Sequence, residues 1–327
     1  MAFTQLIEED DHQELSQESK EFLLTLPRNK GWRTRNLYLF QGFWCQAKEI
    51  HAILSFQQHF QAQAKDIIVA SIPKTGTTWL KALTFSIVNR HLFTLQKEHP
   101  LLTSNPHDLV PFLEYNLYAN NNIPGPSRPR LMATHVPFHA LPDSIKMESN
   151  TSRVVYISRN PFDTFLSIWH FMSKIRPDEL GPFSFEEAFD MYCNGVVGYG
   201  PYWEHMLGYY KESMKNPEKV LFLKYEELKD NIEFHLKRLA EFLGCPFSAE
   251  EEREGVIEDV AKLCSFENLK ELDVNKNGKC IANFENKHLF RTAKVGDWMN
   301  HFTPLMVEQL STIMEQKLEG SGLAFKI

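Results

Sequence analysis

Asp66-Ile67-Ile68-Val69-Ala70-Ser71-Ile72-Pro73-Lys74-Thr75-Gly76-Thr77-Thr78-Trp79 is the stretch that decides the fold. Residues 66–71 form a short, β-rich apolar run and read as a buried strand. Pro73 and Gly76 punctuate a tight turn. From Thr77 the pattern turns helical, with Trp79, Leu80, Leu83, Phe85, Ile87 and Val88 apolar. A strand, a one-glycine turn and a helix N-terminus make an anion site, because free backbone N–H groups and the positive end of the helix dipole face the ligand. Lys74 adds a full charge, and Thr75, Thr77 and Thr78 add hydroxyl donors. The loop is P-loop-like without being Gly-x-x-x-x-Gly-Lys-Ser/Thr: Lys74 precedes Gly76 by two positions, and only one glycine is present. The ordinary alternative is a strand-to-helix turn capped by Thr. Lys, Gly and three Thr within five residues argue against it.

Working outward, residues 130–134, 153–158 and 220–225 read as further buried strands, each followed by polar or turn residues. Helical patterns lie between and after them, over 77–90, 161–173, 185–192, 203–215, 231–243, 251–263 and 304–317. Apolar strands alternating with helices imply an α/β domain with a central parallel sheet flanked by helices. Residues 120–130 (Asn-Asn-Asn-Ile-Pro-Gly-Pro-Ser-Arg-Pro-Arg) read as a surface loop, and 273–286 as another. Ligands of such sheets bind at the carboxyl ends of the strands, so chemistry is expected in the residues just after each one.

Composition bounds the function. The chain has 35 Lys and Arg against 42 Asp and Glu, a formal charge of −7. That balance disfavours a general binder of nucleic acid or anionic membrane, so a polyanion must be met by a few concentrated cations. No apolar run reaches about 18 residues, so no membrane-spanning helix is expected. Residues 1–20 carry Glu8, Glu9, Asp10, Asp11, Glu14 and Glu18 and read as a mobile acidic arm, the reverse of a signal or transit peptide. The five cysteines are widely spaced, with no Cys-x-x-Cys, and read as reduced thiols. A cytoplasmic protein is expected, with the arm over 1–20 and a single domain over 21–327.

After the 153–158 strand, Asn160 is placed to cap a helix with Pro161 at its first position. This puts Arg159 at the strand end and Ser167 two turns into the helix. A P-loop NTPase more often has an acidic magnesium ligand after such a strand. Arginine there favours direct binding of a phosphate, although a bridge to a surface carboxylate is the ordinary alternative. Among 13 histidines, His135 stands out because it directly follows the 130–134 strand. His135 and His139 are four apart, but Pro137 between them argues against a helical metal pair, and no His-Glu-x-x-His occurs. No metal is expected.

Pro73-Lys74-Thr75-Gly76-Thr77-Thr78-Trp79 resembles the 5′-phosphosulfate loop of the cytosolic sulfotransferases, which use 3′-phosphoadenosine 5′-phosphosulfate (PAPS). The resemblance implies that Lys74 contacts the oxygen between sulfate and 5′-phosphate, that Thr75, Gly76, Thr77 and Thr78 hold the 5′-phosphate, and that Trp79 stacks on adenine. It implies Arg159 and Ser167 as 3′-phosphate ligands. Phe290-Arg291-Thr292-Ala293-Lys294-Val295-Gly296-Asp297-Trp298 resembles the family's Arg-Lys-Gly-x-x-Gly-x-Trp motif, which implies Arg291, Thr292 and Ala293 at the 3′-phosphate. Lys and Gly of that motif are replaced by Thr292 and Ala293. One cation is lost, and a Cβ is added where the backbone approaches a phosphate closely. Ala133-Thr134-His135 resembles the segment carrying the catalytic base. Histidine suits that task because its pKa lies near neutrality. Tyr225 stands where the family has a cofactor-contacting Tyr, and Cys264-Ser265-Phe266 resembles an adenine-side segment.

The resemblance runs from about residue 23 to 325. Residues 31–44 and 105–112 are similar to the plant branch, in particular hydroxyjasmonate sulfotransferases. It implies an enzyme that moves the sulfuryl group of PAPS to a hydroxyl of a small plant metabolite, without metal. Phe43, Trp44, Phe112, Tyr115, Phe138 and Phe171 are candidates for an apolar acceptor pocket, with core packing the alternative. A nucleotide-binding homologue with weakened or lost turnover and a P-loop kinase are the competing readings. Oligomeric state stays open.

Overall fold

The apolar run after Asp66 is a strand, Ile67–Ala70, buried on both faces. The computed structural model describes residues 16–93, 98–118, 129–280 and 285–326. Seven strands lie among them: β1 (Arg28–Lys30), β2 (Asn36–Phe40), β3 (Phe43–Cys45), β4 (Ile67–Ala70), β5 (Leu131–Thr134), β6 (Arg153–Ser158) and β7 (Val220–Lys224). The last four form one parallel sheet in the order β5-β4-β6-β7. Side chains alternate between its faces. Ile67 and Val69 join Val155, Ile157, Leu221 and Leu223 in one apolar layer. Ile68 and Ala70 join Val154, Tyr156 and Phe222 in the other.

Helices cover both faces. Leu80, Leu83 and Ile87 of Thr77–Asn89 and Leu236 and Leu239 of Ile232–Phe242 pack in the first layer. Phe162 and Phe165 of Pro161–Ile175, with Trp203, Met206 and Tyr209 of Tyr202–Lys215, pack in the second. Each such side chain taken fully out of water contributes about 1.5–3 kcal/mol, offset by the entropy of ordering it. The parallel sheet and its flanking helices are those expected from the alternation of patterns.

Several features differ from the expectation, among them a helix, Asp273–Asn277, inside the stretch read as a loop over 273–286. β1, β2 and β3 form a separate antiparallel sheet. Gln41 (φ 49°) and Gly42 (φ 84°) are both left-handed between paired Phe40 and Phe43. Two such residues make the tight turn whose twist suits a hairpin. The helix expected over 251–263 is two helices, Ala249–Arg253 and Val256–Leu263, because Gly255 between them adopts φ 77°. The strand expected to reach Tyr225 ends at Lys224, and Tyr225 opens the helix Tyr225–Asp230. The arm expected over 1–20 lies outside the described residues through residue 15, and its last four residues belong to the helix Gln17–Leu24. Most of the expected 120–130 loop lies outside the described residues, as do residues 281–284. No helix among the described residues is long and apolar enough to cross a membrane.

The topology assembles the site. Lys74 follows β4, His135 follows β5, Arg159 follows β6 and Tyr225 follows β7. Parallel pairing puts all four carboxyl ends at one edge.

Candidate active site

Gly76 holds the first loop in shape. Its φ is 116°, and a Cβ there would lie 2.9 Å from both Ile157 Cδ1 and Tyr225 Cδ2. The Thr75 hydroxyl donates to the carbonyls of Ile72 (2.9 Å) and Ile157 (3.0 Å), which fastens the loop to β6. The Thr75 hydroxyl proton is thus engaged within the protein, and Thr75 is off the cavity wall. Thr77 shares a hydrogen bond with Ser71 Oγ (2.6 Å), and Thr78 one with His107 Nε2 (3.0 Å). The first helical bond is closed by Leu80 N–H on Gly76 O (3.0 Å), so earlier N–H groups have no intrahelical partner. Lys74 is left-handed (φ 72°), and its Nζ sits 4.2 Å from the centroid of the Phe171 ring. Trp79 meets Tyr225 edge-on, with centroids 5.4 Å apart.

The second loop forms as its cap residues predict. The Asn160 side chain accepts from Phe162 N–H (2.9 Å), with Pro161 at the first helical position. Arg159 Nη2 donates to the Lys294 carbonyl (2.7 Å), and the guanidinium stacks 4.7 Å from the Tyr225 ring. Arg159 Nε is buried without a partner among the described residues. Ser167 is buried and lines the same cavity. Sequence reasoning missed Asp163. Its carboxylate is fully buried, sits 3.6 Å from Arg159, and accepts the N–H groups of Gly296 (2.8 Å) and Trp298 (3.2 Å). It therefore clamps the third loop onto the second.

In that third loop, Arg291 pairs with Asp297 (2.5 Å), while its Nε is buried without a described partner. Ala293 adopts φ 53°. A residue with a Cβ is strained there, by about 1–2 kcal/mol, which is why glycine suits the position. The Ala293 carbonyl accepts from Tyr225 OH (3.1 Å) and Lys229 Nζ (2.6 Å). Ala293 lines the cavity. Thr292 is not on its wall, and its hydroxyl has no partner among the described residues. Lys294 is exposed and also off the cavity wall.

His135 is held by the protein on three sides. Its Nδ1 donates to the Ser71 carbonyl (2.6 Å). Its backbone N–H donates to Glu114 Oε1 (2.6 Å), and its carbonyl accepts from His205 Nε2 (2.8 Å). Phe112 and Tyr199 pack against the ring, with centroids at 4.5 and 5.5 Å. Burial, then the Lys81, His205 and Lys74 charges, push its pKa down to about 3 against the bond to Ser71. A neutral ring with the proton on Nδ1 leaves the Nε2 lone pair free. Glu114, pushed up to about 7 by burial, gave no sequence signal as a partner of His135.

A cavity of about 380 Å³ joins these groups. Lys74, Gly76, Thr77, Thr78 and Trp79 line one part, with Arg159, Ser167, Tyr225, Arg291, Ala293 and His135. Cys264, Ser265 and Phe266 also line it, as does a largely apolar region of Phe112, Phe171, Met172 and Ile175. The residues fit a polyanion. The two buried guanidinium Nε atoms lack partners among the described residues. Lys74 is pushed down to about 7 by burial first and then by Arg159, Arg291 and Lys174, a repulsion that a bound anion relieves. Among the described residues no cluster of three or more His, Cys, Asp or Glu is arranged to hold a metal ion.

Residues 64–322 match the family model described as the sulfotransferase domain. The chain is 58% identical over 326 residues to cytosolic sulfotransferase 15 of Arabidopsis thaliana, covering 98% of this chain and 90% of the relative. A crystal structure of an Arabidopsis thaliana putative steroid sulphotransferase superposes with a TM-score of 0.76 at 38% identity, covering 97% of this chain and 98% of that one. A mouse sulfotransferase complexed with PAP superposes with a TM-score of 0.67 at 25% identity, covering 87% and 95%. The chain therefore belongs to the sulfotransferase family, within its plant cytosolic branch.

Proposed function

We propose that the cavity holds PAPS beside a small hydroxylated acceptor and that His135 takes the acceptor's proton. As a family member the chain is a PAPS-dependent sulfotransferase. The residue roles are our reading. The observation that carries it is the His135 tautomer: with Nδ1–H tied to Ser71 O, the free Nε2 opens on the cavity that also holds the phosphate loop. When bound, PAPS supplies a sulfuryl group on a good leaving group, its 5′-phosphate. Burial keeps the His135 Nε2 lone pair unprotonated but disfavours the imidazolium, and the bond to the Ser71 carbonyl works against that cost when the ring takes the proton. Lys74, with the N–H groups of Gly76 to Thr78, meets the charge that grows on the 5′-phosphate. Trp79 offers a face for adenine. Arg159, Ser167 and Arg291 take the 3′-phosphate, with Tyr225 holding the Ala293 carbonyl in register.

Lys74 gives a pH signature. With its pKa near 7 in the free protein, it must be protonated to meet an anion. Bound anion raises that pKa, so binding takes up a proton. PAP affinity is expected to fall as pH rises from 7 to 9, with a limiting slope of about tenfold per pH unit. Calorimetry in buffers of different ionisation enthalpy checks the uptake. The dependence should be absent in Lys74→Met.

Hydroxyjasmonate-like acceptors suit the rest of the cavity. Arg33, whose Nε donates to Gln46 Oε1 (3.2 Å), also lines the cavity and is a cation able to meet a carboxylate. The test is kcat/KM for hydroxyjasmonate against its methyl ester and a hydroxysteroid. The acid should lead the ester by about tenfold, the worth of a charged hydrogen bond. A leading steroid would replace this acceptor class.

Thr292 and Ala293 favour a second reading, in which nucleotide binding persists while turnover is weak. The double change Thr292→Lys with Ala293→Gly restores a cation and removes the left-handed Cβ. It should tighten PAP by about 1–2 kcal/mol, with a gain that shrinks as salt rises. No gain, together with a costly Lys294→Ala, would show that the loop meets the 3′-phosphate in another register.

A further inference from the structure

We propose that Lys81 is a positioning residue: acting through His107, it turns the Thr78 hydroxyl so that its proton is offered to the bound 5′-phosphate. This rests on the reading of Thr78 as a phosphate ligand. Thr78 and Lys81 lie one turn apart on the helix Thr77–Asn89, and Lys81 is fully buried. Its Nζ lies 2.9 Å from His107 Nδ1 and 3.2 Å from the centroid of the Phe112 ring. His107 stacks on the same ring, with centroids 5.3 Å apart and planes 20° apart. Its other nitrogen, Nε2, lies 3.0 Å from Thr78 Oγ1. Asn105 fixes the His107 backbone, accepting its N–H at 2.9 Å.

The direction of the chain follows from what each group can offer. Burial, then the charges of Lys81, His135 and Lys74, hold the His107 pKa well below its usual value, so the ring is neutral and carries one N–H. Lys81 sits over the electron-rich face of Phe112, which attracts its hydrogens and repels a lone pair. Burial pushes the Lys81 pKa well below its usual value, and the charges of Glu114, Cys280 and Asp108 favour the ammonium against it. Nζ therefore donates to Nδ1, and the ring proton sits on Nε2 and is given to Thr78 Oγ1. With an acceptor site already filled, the Thr78 O–H proton is left for the cavity. In the reverse order Thr78 would give its proton to His107 and present only lone pairs to an anion.

Two measurements decide. Lys81→Met removes the donors at nearly the same length. PAP affinity by calorimetry should fall about tenfold, and in a Thr78→Val background the same change should cost less than about twofold. Equal losses in both backgrounds would overturn the proposal. If Thr78→Val alone leaves PAP binding unchanged, the phosphate-loop reading fails and takes the proposal with it. Should Lys81→Met not fold, nitrogen NMR of the histidine-labelled, otherwise unmodified protein answers, with His107 assigned by the signal lost in His107→Gln. The Nε2–H tautomer is expected with and without PAP, and an Nδ1–H tautomer overturns the proposal.

Discussion

His135→Ala is expected to leave PAP affinity within about twofold and to lower kcat by about 10² to 10⁴, the usual worth of a positioned general base. The two halves of this expectation have separate causes. The ring meets Ser71, Phe112, Tyr115 and Tyr199, and among the described residues it makes no contact with the arginines of the nucleotide end, so the binding half should survive. The chemistry half should not, because the free Nε2 lone pair has no substitute in alanine. Nor should a neighbour take over. Glu114 is nearest by its bond to the His135 N–H, but that bond turns one carboxylate oxygen to the backbone. Far-UV dichroism and a PAP titration separate a misfolded variant from an inactive one. Turnover within threefold of wild type would remove His135 from the proposed mechanism.

Arg159→Ala carries the second large effect, a loss of about tenfold to a hundredfold in PAP affinity from one charged hydrogen bond of about 1.5–3 kcal/mol. Arg159 also holds the Lys294 carbonyl at 2.7 Å and faces Asp163, so its removal loosens the third loop that presents Arg291. Both effects fall on the 3′-phosphate. The loss should therefore be much smaller for adenosine 5′-phosphate, which lacks that group. Equal losses for the two nucleotides would make Arg159 a structural residue only.

The parts of the site that were legible lie immediately after strands. Lys74, His135 and Arg159 stood out because apolar strands alternating with helices tell where the carboxyl ends of a parallel sheet are, whereas Tyr225 came from the family resemblance. Local chemistry was legible too: Asn160 and Pro161 announce the helix that carries Ser167. What escaped depends on contacts distant in sequence. Asp163 reads as an ordinary first-turn acid, and only the fold brings Gly296 and Trp298 to it. Nothing local in the sequence says that the Thr75 hydroxyl donates to the Ile72 and Ile157 carbonyls. Lys81 reads as a polar residue on an amphipathic helix, yet it is buried beside His107. The β2–β3 hairpin was hidden because Gln41-Gly42 is a weaker turn signal than Asn-Gly. At Ala293 the sequence showed a Cβ in place of glycine, and the left-handed φ explains why that change matters.

The central claim is transfer itself. The direct measurement is a timed incubation of the full chain with PAPS carrying radioactive sulfur and a panel of hydroxylated plant metabolites that includes hydroxyjasmonate. The account predicts labelled product from at least one acceptor, formed in equal amount to PAP. PAP binding by calorimetry with no label transferred to any acceptor would contradict it.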